Sequence, residues 1–166
     1  MHDTMTRYLS GFANVSDAYA LSFVSTPLVD RYSSQPLTSA GLLIHGAGST
    51  VAKTGTSDFY ASVKGTLVKI AASTDMPALT GINISAGDYN VACFFVDSAG
   101  TVTAYGGTQG ATLGAVVFPP FPQGKALVGF LIITYASAFT GGTTALDTAT
   151  TVYVSPLGPF DPSVLV

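Results

Sequence analysis

Glutamate and tryptophan are absent from this chain, cysteine occurs only as Cys93, and histidine only as His2 and His45. A lone cysteine excludes an intrachain disulfide. Within Val91-Ala92-Cys93-Phe94-Phe95-Val96 it reads as a small buried hydrophobe. Charge is equally scarce: 9% of residues are charged, against roughly a quarter in an ordinary soluble domain. The six basic residues are scattered and the net charge is −3. No stripe therefore exists to neutralise phosphates, which excludes nucleic acid as a partner. The same sparseness excludes an anionic membrane surface. The longest apolar run, 126–139, is interrupted by Gly129 and Thr134 and is shorter than the ~18 residues a membrane helix needs. Asp3, Arg7 and Asp17 break any signal-peptide core. Met1 is thus expected to be a native start, and the chain to fold in a reducing cytoplasm.

What is present is apolar residues at 48%, with Gly, Ser and Thr in place of Lys and Glu. At 166 residues the chain can fill one full core. A surface so short of charge has little defence against association. Part of it is expected to be buried between chains.

From residue 41 the pattern is β. Leu42-Leu43-Ile44 opens a strand and Gly46-Ala47-Gly48-Ser49 turns it. Residues 58–71 read as one long strand whose alternation slips by one residue at Gly65, the mark of a β-bulge. Residues 72–81 form a loop with Pro77, and Ile82 and Ile84 a short strand. Tyr89–Val96 and Thr101–Tyr105 flank Asp97-Ser98-Ala99-Gly100, a loop whose glycine can take the left-handed conformation that closes a hairpin. Prolines 119, 120 and 122 stiffen an extended connection. Lys125–Tyr135 is apolar on both faces and rich in β-branched residues, as in a central strand. Thr140-Gly141-Gly142-Thr143 turns the chain into a last strand, 150–154.

Short strands separated by Gly/Pro turns predict an all-β fold, an antiparallel β-sandwich or jelly-roll-like domain. It spans 41–155, preceded by an extended N-terminal arm or lead-in over 1–40 and followed by an extended tail, 156–166. In the arm, Tyr8, Phe12, Val15 and Tyr19 fall three or four apart, which allows a short helix over 6–20. An ordinary pair of strands in the main sheet is the other reading of this region.

Chemistry finds little purchase. Ala47-Gly48-Ser49-Thr50-Val51-Ala52-Lys53-Thr54 lacks both glycines of a phosphate loop, so Lys53 reads as an exposed turn lysine. His45 ends a strand and reads as a hydrogen-bonded structural residue; no serine sits in a nucleophile elbow. The aspartates, at 3, 17, 30, 58, 75, 88, 97, 147 and 161, nearly all adjoin Gly, Ser, Thr or Pro, and turn capping accounts for them. A calcium site on Asp88 or Asp97 with loop carbonyls is the alternative. No catalytic, cofactor-binding or metal-binding residue is nominated, and a non-enzyme is expected.

The order Gly87-Asp88-Tyr89, apolar strand, Asp97-Ser98-Ala99-Gly100-Thr101, Phe118-Pro119-Pro120-Phe121-Pro122, Gly124-Lys125-Ala126-Leu127-Val128-Gly129 and Phe139-Thr140-Gly141-Gly142-Thr143-Thr144 resembles small virion structural proteins of tailed bacteriophages. These include capsid decoration (cement) and head-fibre-like proteins. The likeness covers residues 80–145. It implies a β-rich, oligomeric domain, often a homotrimer, bound outside the head to the major capsid protein and made in the host bacterial cytoplasm. No functional residue transfers with it. A tail-fibre or tail-tip host-recognition module, with Tyr and Asp in exposed loops such as 103–112, and a tail-tube component are the rival expectations.

Overall fold

Among the described residues, runs of β-branched and aromatic residues punctuated by glycine fold into eleven antiparallel strands. The computed structural model describes Asp30 and residues 32–160. In chain order the strands are β1 (Gln35–Pro36), β2 (Leu43–Ile44), β3 (Ala52–Lys53), β4 (Phe59–Val63), β5 (Thr66–Ile70) and β6 (Asn83–Ile84). They continue with β7 (Tyr89–Asp97), β8 (Val102–Gly106), β9 (Lys125–Thr134), β10 (Phe139–Thr140) and β11 (Thr150–Val154). A four-stranded sheet, β11-β9-β7-β8, packs against a three-stranded sheet, β1-β4-β5, with two-stranded ribbons β2-β3 and β10-β6 beside them. The architecture is all-β and sandwich-like, as the turn spacing predicts. The helix expected over 6–20, most of the arm and the end of the tail lie outside the described residues.

The single long strand expected over 58–71 is instead a hairpin. Val63 pairs with Thr66, leaving Lys64 and Gly65 as a two-residue turn. Both have positive φ, 50° and 80°, the geometry whose twist matches the flanking strands. A turn reverses the chain and shifts the apparent phase of alternation just as a bulge does, which is why the two are confused in sequence. Phe59, Ala61 and Val63 point into the core from β4, and Val68 and Ile70 from β5. The lead-in also merges with the sheet earlier than residue 41. Gln35 and Pro36 pair with Ser62 and Ala61, and Ala40 is buried.

The β7-β8 hairpin forms as expected. Val96 pairs with Val102, and Gly100 has φ 82°. β9 is central, between β11 and β7. A bulge does occur there: Phe94 faces Gly129 but Phe95 faces Leu127, so Val128 is the extra residue. The bulge changes which residues point inward, from Ala126 and Val128 to Leu131 and Ile133.

One face of β7 and β9 meets the three-stranded sheet through Ala92, Phe94, Val96, Val128 and Leu131. The other, with Val91, Cys93, Phe95, Leu127 and Phe130, is covered by Val116, Phe118, Phe121 and Phe160. Phe118 meets Phe130 edge-on at 5.1 Å, Phe121 meets Phe95 at 5.1 Å, and Phe160 lies 5.3 Å from Phe130. Both faces of these doubly apolar strands are thus buried within the chain. The proline run is more than a connection: it holds two phenylalanines over the second face, and the chain covers its own sheet. Phe95 and Phe130 are fully buried, worth about 1.5–3 kcal/mol each; the capping rings are partly buried and contribute less, with about 0.5–1.5 kcal/mol more for each edge-on pair.

Candidate functional site

His45 follows β2, and its backbone N–H donates to the carbonyl of Val51 across the β2-β3 ribbon. Its Nδ1 lies 2.6 Å from Asp75 Oδ1, with the two side chains 52% and 53% exposed. Asp75 stands in the loop after β5, held by a bridge to Lys53. His45 is hydrogen-bonded, and its partner is 30 positions away. No local pattern signals a contact of that separation. A carboxylate on Nδ1 orients an imidazole as in a base–nucleophile pair. Among the described residues, however, no hydroxyl or thiol hydrogen-bonds to this ring. Cys93 is enclosed on β7, and burial pushes its thiol up to about 12. It is held as a neutral side chain, far from the thiolate that nucleophilic chemistry needs. The structure does not bring the two residues together.

Four of the described aspartates hold backbone. Asp97 Oδ1 accepts from the N–H groups of Ala99 and Thr101, each at 3.0 Å, and so ties the β7-β8 loop. Asp147 Oδ2 accepts from Gly48 N at 2.7 Å, fastening the β2-β3 turn to the loop before β11. Asp30 Oδ2 accepts from Gly124 N at 2.9 Å, pinning the chain's entry against the start of β9. Asp58 Oδ1 caps Ala72 N at 3.0 Å, while its Oδ2 meets Lys69 Nζ at 2.7 Å. The Lys69 hydrogen bond, helped by that of Ala72, holds the Asp58 carboxyl below its ordinary value, and Asp58 in turn raises Lys69. Among the described residues no three His, Cys, Asp or Glu side chains converge to hold a metal. At the alternative calcium position, Asp97 already spends Oδ1 on loop amides, and Asp88 lies in a turn closed by its own N–H to Ser85 O.

The stretch read against a phosphate loop is the β2-β3 turn. Lys53 is in β3, half-buried, and not an exposed turn residue, because its strand pairs with β2. A shallow groove of about 330 Å³ lies nearby, lined by Ser39, Ala40, Gly41, Leu43, Gly55, Thr56 and Ser57. It offers hydroxyls and backbone but no charged group. In the 103–112 region, Tyr105 belongs to edge strand β8. Its ring stands edge-on to Phe95 at 5.7 Å, with Lys125 Nζ 5.7 Å from its centroid. Lys125 also donates to Thr103 Oγ1 at 2.7 Å.

What remains is surface. Exposed apolar side chains include Leu37, Leu67, Val117, Val152 and Leu157. Among the described residues no helix is long and apolar enough to cross a membrane. Comparison with protein-family models, with curated proteins and with solved structures finds no match to this chain.

Proposed function

We propose that this is a non-enzymatic structural protein of a tailed-phage virion, a capsid decoration protein that binds the outside of the major capsid lattice and stabilises the head. The observation that supports it is the character of the molecule's exterior. A closed β-framework carries charge on only 9% of its residues, yet leaves Leu67, Leu157 and Val117 more than half exposed. Such a surface suits burial against protein better than isolation in water. The order of turn and proline motifs over 80–145 adds the resemblance to virion proteins.

The mechanism is mechanical. A rigid domain seated where capsid subunits meet adds buried area to the assembled shell and resists its expansion. Copies of the chain associate as a homotrimer on the virion exterior. Two measurements test this. Purified protein added to particles lacking it is expected to bind at saturable occupancy and to raise the temperature at which heads release DNA. Light scattering is expected to give three times the chain mass. A particle reconstruction without its density on the shell would sink the reading.

One observation favours the rival host-recognition module of a tail fibre or tail tip. Tyr105, 37% exposed on an edge strand with a lysine ammonium beside it, could stack on a glycan ring. Binding of the purified protein to host cells, lost in Tyr105→Ala, would select it.

A further inference from the structure

The two main sheets differ in how their outer faces are finished. The outer face of β11-β9-β7-β8 is closed by Phe118, Phe121 and Phe160. The outer face of β1-β4-β5 is, among the described residues, only partly covered. Cross-strand register places Gln35, Ser62 and Leu67 in one row there, and Tyr60 and Lys69 in the next. Leu37 joins the second row, since its N–H donates to Tyr60 O. Leu37 is 50% and Leu67 66% exposed, and Tyr32, just upstream, is 65% exposed.

The chain enters the domain over this same face. The Ser62 hydroxyl, which projects from it, donates to Ser33 O at 3.0 Å. The Ser34 hydroxyl accepts from Lys64 N at 3.2 Å. Asp30 is fixed to Gly124. The 29 residues before Asp30 therefore begin at the margin of this face. Extended, they could reach ~95 Å, whereas three strands are only about 10–15 Å across. Only part of the segment is needed to cover the face. It brings Tyr8, Phe12, Val15, Tyr19 and Phe23, three or four positions apart, a spacing that would share one side if this part of the segment were helical.

We propose that the outer face of the three-stranded sheet is the docking site of the chain's own segment 1–29, whose aromatic side chains cover Leu37, Tyr60 and Leu67. Covalent attachment at the face's edge gives the segment a high effective concentration there. Docking in the free protein stands on the sheet geometry and does not depend on a capsid partner.

Trypsin cleavage after Arg7 tests it on the full chain, read by mass spectrometry. The comparison is between the wild type and the double variant Leu37→Gln/Leu67→Gln. Both side chains are at least half exposed, so the variant is expected to keep one cooperative unfolding transition, followed by circular dichroism and lowered only by the docking it loses. Cleavage at Arg7 is expected to be at least about tenfold faster in the variant, as the open form becomes the major one. Equal rates in the two proteins overturn the proposal. So does protection of Arg7 that appears only as protein concentration rises, which would assign the face to the segment of a second copy.

Discussion

Cys93 shows how one residue's role follows from its surroundings. It lies on the sheet face capped by aromatic rings, and burial pushes its thiol up to about 12. Alkylation by iodoacetamide at pH 8 is therefore expected to track global unfolding, and a native-state rate near that of a free thiol would contradict it. Gly129 is constrained by space. A Cβ there would lie 2.6 Å from both Leu42 Cδ1 and Val154 O. Gly129→Ala is expected to cost on the order of 1–3 kcal/mol, seen as a melting temperature lower by about 2–4 °C per kcal/mol. The Asp58–Lys69 pair sets a pH window. Asp58 has its folded value below 3.8, so its contribution is complete above 3.8 and is lost as pH falls through the folded value. Lys69 has its folded value above 10.5, so its contribution is complete below 10.5 and is lost as pH rises further. The melting-temperature gap between wild type and Asp58→Asn should thus be flat between these limits and narrow in acid. Both groups are exposed, and the gap is correspondingly small.

At the scale of elements, alternation and turn chemistry made most strands legible. The 97–100 loop is the clearest case, since Asp97 and Gly100 each do what their residue type does in such loops. The slip at Gly65 is the counter-example. Lys64, with φ 50°, occupies a position that asparagine fills more readily than lysine. Lys64→Asn is expected to stabilise the hairpin by about 0.5–1 kcal/mol, measured by denaturant unfolding; a loss would mean that the Lys64 stem, packed beside Gly124, matters more than the turn. The bulge at Val128 escaped notice for the opposite reason. β9 is apolar on both faces, so a change of phase leaves no mark in a run such as Leu127-Val128-Gly129-Phe130-Leu131.

For the whole molecule, both faces of β7 and β9 are buried within the chain, while Leu37 and Leu67 beside the three-stranded sheet stay exposed. Among the described residues, the larger core cluster draws on positions from Ala40 to Ala149. Deleting residues 1–20 is expected to leave a cooperative thermal unfolding transition and, on the capsid-decoration reading proposed above, to lower occupancy on capsids; unchanged occupancy would show that these residues take no part in binding. Composition, turn residues and the period of two were enough, by themselves, to determine an all-β chain, most strand positions after residue 80 though not β10, and the loop-capping work of Asp97. These are local properties, carried by neighbours in sequence. The tertiary structure alone decided that Phe118, Phe121 and Phe160 close the second face of β7 and β9, that Asp75 meets His45, and that Leu37 and Leu67 share a face. Each of these joins residues whose separation along the chain leaves no periodic trace, and only the packing of one sheet against another brings them together.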